Sequence, residues 1–181
     1  MNFTKISRRV LIAFGLVASA TGAMAQSSAT ATGNATATVI RPITLASSVD
    51  LAFGSVVPSG AAGTLALTAA SPAVPTAVGV TQPGTQAGAV TAAVFDVGGE
   101  GSFTYSITLP AAPATITGPA AATMTVDTFT KSAVAGVLGT LSGAAGAAGA
   151  QSFYVGGTLH VGANQAPGSY TGTFSVTVAY N

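Results

Sequence analysis

The chain has no cysteine, no tryptophan and one histidine, and only 5% of its residues are charged. Without cysteine there can be no disulfide and no thiolate metal site. His160 is the sole imidazole, and no G-x-S-x-G elbow accompanies it, so a Ser-His-Asp hydrolase has no anchor. The acids Asp50, Asp96, Glu100 and Asp127 are scattered rather than paired, which argues against a glycosidase. A surface so poor in charge must draw its polarity from Thr, Ser, Asn and Gln.

What is present begins with an export signal. Lys5, Arg8 and Arg9 form a basic stretch, Val10 to Ala20 an apolar run, and Ala23-Met24-Ala25 a small-x-small site that predicts cleavage before Gln26. The apolar run is shorter than the about 20 residues a membrane helix needs. The Arg8-Arg9 pair suits either the Sec or the Tat route, with Sec preferred. Removal of residues 1–25 leaves Arg41 and Lys131 against four acids, so the net charge passes from +1 to −2. Nucleic acid is therefore a poor partner, since phosphate binding needs clustered Lys and Arg. The remaining residues suit one domain with its own core.

Period-two alternation dominates. Phe103, Tyr105, Ile107 and Leu109 share one face against Thr104, Ser106 and Thr108. Phe153, Val155, Leu159 and Val161 repeat the scheme around Gly157, which puts His160 on the outer face with Tyr154 and Thr158 as a solvated strand residue. The clearest run is 170–180, where Tyr170, Gly172, Phe174, Val176, Val178 and Tyr180 alternate with Thr, Ser and Ala. Further strands are predicted at 36–46, 51–57, 63–69, 77–82, 88–97 and 122–130. Inward parity fails between Val126 and Phe129, which predicts a bulge or strand end near Asp127. No stretch carries a helical period, and many short strands with Gly and Pro punctuation indicate a sandwich or barrel. Residues 139–150, GTLSGAAGAAGA, read as a flexible low-complexity loop. The cluster Asp96-Val-Gly-Gly-Glu100 lacks the spacing of an EF-hand loop and reads instead as a Gly-Gly hairpin joining 88–97 to 101–109. Asn34-Ala35-Thr36 matches a glycosylation sequon, which in a bacterium is read as chance. No cofactor, metal or catalytic residue is expected.

The two ends of the chain carry the functional information. Counting back from Asn181, apolar Val178, Val176 and Phe174 fall at alternate positions, Tyr180 is penultimate, and Gly168 lies further back. This arrangement resembles the C-terminal signature of chaperone–usher pilins. The resemblance implies that a periplasmic chaperone holds the terminal carboxylate and pairs a strand with these residues. The N-terminal stretch alternates too: Ala29, Ala31, Gly33, Ala35, Ala37 and Val39 on one face, Thr30, Thr32, Asn34, Thr36 and Thr38 on the other. Pilins are immunoglobulin-like folds lacking their last strand, and each subunit's arm fills its neighbour's groove by β-augmentation. Gly33 suits a place of close backbone approach. An alanine methyl anchors less than larger donor side chains, about 0.8 against roughly 1.5–3 kcal/mol, and a small-residue arm fixes register weakly.

Between the ends, further residues support a second resemblance. They are Leu51-Ala52-Phe53-Gly54, Ala93 to Gly98, Tyr105 to Pro110, Met124-Thr125-Val126, Val155 to Leu159, and Gly168 to Phe174 with Val178 to Asn181. Over nearly all the mature chain, these resemble a family of bacterial exported proteins known only as a domain of unknown function. That family is itself similar to fimbrial and spore-coat-U-like subunits. The resemblance implies an all-β, immunoglobulin-like antiparallel sandwich with an N-terminal extension strand, and no enzyme activity. Many spore-coat-U-like proteins carry a cysteine pair, so the present core must hold without one.

These observations lead to three expected parts: a signal peptide over 1–25, an arm over 26–38 and a β-sandwich over 39–181. The expected function is a fibre subunit with a role in adhesion or biofilm. Its partners are other copies or related subunits, with a periplasmic chaperone and an outer-membrane usher, at the surface of a Gram-negative bacterium. The alternative is a monomeric secreted module that binds carbohydrate or protein. A Thr-rich ice-binding face, suggested by the Thr-x-Thr steps at 36–38, 123–125 and 171–173, is a third and weaker reading.

Overall fold

The structure is a computed structural model that describes residues 28–84 and 88–181. The chain divides into two units, Met1–Ala37 and Thr38–Asn181. In the first, residues 28–37 are exposed and form neither helix nor strand. The predicted leader and its cleavage residues, Ala23, Ala25 and Gln26, lie outside the described residues.

Among the described residues the second unit is built from strands and one short 3-10 turn, Pro119–Ala121. In chain order the strands are β1 (Thr44–Val49), β2 (Ala52–Phe53), β3 (Gly63–Leu67), β4 (Pro75–Val78), β5 (Val90–Thr91) and β6 (Ala93–Glu100). They continue with β7 (Tyr105–Thr108), β8 (Ala114–Thr117), β9 (Thr123–Ala133), β10 (Ala148–Val161), β11 (Thr171–Gly172) and β12 (Thr177–Tyr180). Every pairing is antiparallel. The all-β, antiparallel, sandwich-like fold expected from alternation is the fold observed.

One large sheet runs β1-β6-β10-β9-β8-β11, and its centre is the long strand β10. Along one edge β10 pairs first with β6, from Ala148 to Val155, and then with β3, from Gly157 to Val161. The handover falls at Gly156, where a Cβ would come within 2.3 Å of the Leu67 carbonyl, so glycine permits the change of partner. Two small sheets, β7–β12 and β2–β5, face the large one. The core between them has two parts. Phe95, Val97, Tyr105, Ile107, Leu141, Phe153 and Val155 form one, and Leu65, Val126, Leu159 and Val161 form the other. The Tyr105 phenol lies within the first and donates to Gln151 Oε1 at 2.7 Å. Burial raises its pKa to about 12.

The parity break in β9 is a bulge. Gly156 faces Thr130 while Thr158 faces Asp127, so β9 holds one residue more than β10, and Thr128 takes a positive φ of 48°.

Three local expectations are corrected. Gly98 and Gly99 do not turn a hairpin; they lie inside β6, opposite Thr44 and Gly149, and β7 pairs with β12 instead. Their small size serves close approach, since a Cβ on Gly99 would sit 2.2 Å from the Tyr180 hydroxyl. The segment 139–150 is not a free loop. Leu141 is 1% exposed, Gly139 donates to Gln151, Gly101 donates to the Ala147 carbonyl, and the last three residues open β10. The strand expected over 36–46 starts only at Thr44. The strand β8 carries no clear alternation signal, because its four residues hold a single large apolar side chain, Ile116.

Candidate functional site: an open apolar groove

The second part of the core is left partly uncovered. A groove of about 960 Å³ opens over it. Its floor is the inner face of the large sheet, where Ile116, Met124, Val126, Leu159 and Val161 come from β8, β9 and β10. One wall is the segment 50–56 with β2, and the other runs from Gln165 to Phe174. This arises because the covering layer is discontinuous. β7 and β12 cover only the β6 half of β10, and β2 and β5 are two residues each.

The expected acceptor strand 170–180 is split by this geometry. Tyr170, Phe174, Val176, Val178 and Tyr180 are half-buried and Thr173, Ser175, Thr177 and Ala179 exposed, as the alternation requires, whereas Gly172, expected inward, is exposed. Yet only Thr171–Gly172 and Thr177–Tyr180 are strand. Residues 173–176 belong to no strand and lie between the two short pairings β11–β8 and β12–β7. A segment outside the sheet beside an apolar groove is a place where an added strand can pair. Gly168, Tyr170 and Phe174 line the groove, whereas Val176, Val178 and Tyr180 pack on the closed part of the core. Phe174 joins the two, stacked on Phe129 at 5.0 Å and edge-on to Phe95 at 6.0 Å. Gly168 has a φ of 144°, and a Cβ there would meet Pro119 at 2.3 Å. The Tyr170 hydroxyl donates to the Ala166 carbonyl at 2.7 Å and accepts from Gln165 Nε2, which fixes that wall. The exposed Asn181 donates its backbone N–H to the Thr104 carbonyl.

At the far end of β6 the second unit's own N-terminal segment is clamped. Arg41 gives its backbone N–H and its guanidinium to Glu100 Oε2, at 3.2 and 3.1 Å, and Gly146 N–H reaches Glu100 Oε1 at 2.6 Å. Tyr180 Oη accepts from the Glu100 N–H at 2.7 Å and donates to the Arg41 carbonyl at 3.0 Å. Hydrogen bonding by the Arg41 backbone, then by Gly146 and the guanidinium, outweighs desolvation and holds the Glu100 carboxyl below its ordinary value. Sequence reasoning missed this cluster, because its members lie 59 and 80 or more residues apart.

Asp96 and Glu100 do not form a cation site. Asp96 accepts from the Ser152 hydroxyl, and Glu100 is taken by Arg41. Hydrogen bonds from Ser152 and Ser48 lower the Asp96 pKa. Among the described residues no group of three or more His, Cys, Asp or Glu could hold a metal. His160 lies on the outer face as expected, with Nε2 2.8 Å from Asp127 Oδ1, and that bond lowers the Asp127 pKa. Ala29, Ala31, Gly33, Ala35 and Ala37 are exposed in the first unit, and Val39 is 95% exposed at the start of the second.

A family model described as a domain of unknown function (DUF4402) matches residues 43–180. The chain belongs to that family. The DUF4402 match contains the whole groove lining and all of β1 to β12, and it begins just after Arg41. No curated protein and no solved structure matches the chain.

Proposed function

We propose that this protein is a pilin-like structural subunit of a surface fibre rather than an enzyme, and that residues 26–38 of one copy fill the groove of the next. The observation that carries this reading is the groove itself, whose apolar floor leaves Ile116 and Met124 partly exposed beside residues 173–176, which belong to no strand. An entering strand would cover the floor with alternate side chains and gain main-chain hydrogen bonds along that wall.

The position of the clamp supports a head-to-tail arrangement. Arg41 is held beside Glu100, which is opposite Ala148 at one end of β10, while the groove floor includes Leu159 and Val161 at the other. At about 3.3 Å per residue those ends are roughly 40 Å apart. A donor at one end and an acceptor at the other make a heterologous contact, which propagates instead of closing on itself.

In this reading the leader exports the chain to the periplasm of a Gram-negative bacterium. There a chaperone protects the groove until an usher exchanges it for a neighbour's arm, and the assembled fibre serves adhesion or biofilm. The immunoglobulin-like frame short of one strand is part of the same proposal.

The test is deletion of 26–38. The expected result is a protein that neither polymerises nor assembles on cells, but whose groove binds an added peptide of residues 26–39. Continued polymerisation of the deletion would reject strand exchange. A full chain that stays monomeric at high concentration without a chaperone would favour the secreted binding module.

A further inference from the structure

The end of the sandwich from which the chain leaves is itself apolar. Val39 is 95% exposed and Val137 74%, and Ile40, Phe103 and Val134 are also exposed. All belong to the same end. Ile40 precedes Arg41, which bonds to Glu100 and to the Gly146 carbonyl. Phe103 lies edge-on against Tyr180, 5.7 Å between centroids, and Tyr180 bonds to both Arg41 and Glu100. Val134 N–H bonds to Ser152, and the Val137 carbonyl accepts from Gln151, both in the first residues of β10.

Three properties make this end unusual for a free surface. Five of its large side chains are apolar and exposed, the one cation among them, Arg41, is half-exposed but paired with the buried Glu100, and small residues fill the neighbouring segment 144–147. Exposed apolar patches of this kind mark interaction sites.

We infer that this end is a second interface between copies, packing against the groove mouth of the copy that takes up the arm. The inference rests on the arm-exchange reading, and chain continuity argues for the occupant. Ile40 follows directly on the donor face that ends at Val39, so a neighbour that binds the arm must abut it. At the acceptor end Val57 and Val78 are exposed, which offers apolar surface in return. The arm alone is weakly anchored because four of the six residues on its inward face are alanines. Contact between the two ends supplies the apolar burial that those alanines do not.

The experiment uses the full mature chain and the same synthetic peptide of residues 26–39. Val137→Asp and Val134→Asp place a carboxylate in the contact, where burial without a partner is costly. Both positions are exposed in the single copy, so the Tm of the unassembled protein should not change. The expected result is a fall in assembly rate of about tenfold or more by light scattering, while either variant binds the peptide as tightly as the parent does. Assembly of both variants at the parental rate, with the peptide still blocking it, would overturn the second interface and leave arm exchange intact. A peptide that neither binds nor blocks would overturn both.

Discussion

The two parts of the core lie on one sheet and are written in the same alternating code, and the central side chains of both are buried, yet the layer over one is continuous and the layer over the other is broken. Around Phe153, Val155 and Val97 the strands β7 and β12 complete a second layer, and these side chains are 0 to 2% exposed. Around Leu159 and Val161 the covering layer is interrupted, and the partly buried Ile116, Met124 and Phe53 border a groove. The difference is not in the floor, which is equally apolar in both parts. It lies in what the chain supplies as a lid.

The comparison can be broken most forcefully in the closed part. Phe153→Ala should cost about 3–5 kcal/mol, because a ring stacked on Phe95 leaves a cavity its neighbours cannot fill. Denaturant unfolding measures this. A sharper version sets Val155→Ala against Ile116→Ala. The isoleucine loses more atoms, but one side of it already meets the groove. Val155→Ala should therefore be the more destabilising, at about 2 kcal/mol against less than about 1 for Ile116→Ala. The reverse order would mean that the groove is not open in solution.

Gly99→Ala tests the closed end by crowding. The added methyl meets both the Tyr180 hydroxyl and Leu141 Cδ1, and displacing them should cost about 1–3 kcal/mol in thermal unfolding. Tyr180→Phe removes two hydrogen bonds from the clamp without changing shape, for a loss of about 1 kcal/mol. Unaltered stability in both variants would remove the clamp from the account.

The smallest effect expected is in acid. The Glu100 carboxyl is held below its ordinary value of 4.5. Its contribution is therefore complete above that pH and is lost as pH falls through the lower folded value. The stability gap between the parent and Glu100→Gln should narrow below pH 4.5. A gap that stays constant from neutral pH into acid would contradict the role given to this carboxylate. Asp96 and Asp127 shift in the same direction and steepen the acid limb of the parent.

Much of this was legible in the sequence. Alternation in 153–161 and 170–180 placed the inward side chains correctly, and the parity break after Val126 located the bulge. The open groove was not legible. Leu159, Val161 and Ile116 read as ordinary core, because alternation reports which face is apolar and not whether anything covers it. Gly98-Gly99 misled for a related reason. Two glycines mark backbone freedom or absent bulk, and only the third dimension, with Tyr180 above Gly99, shows that bulk was the issue. The repetitive segment 139–150 looked unstructured by composition, yet Leu141 and the backbone bonds to Gly101 and Gln151 pin it.

The Arg41–Glu100–Tyr180 clamp has a mechanical consequence. A pull on Val39 along the axis of β1 would not peel the strand away one residue at a time. It would first meet Tyr180, which joins the root of the arm to the last strand, and then the β1–β6 ladder from Thr44 opposite Gly98 to Ser47 opposite Phe95. Those rungs lie across the line of force and would share the load in shear. The same handful of bonds that only trims stability at rest would decide the tension at which this domain gives way.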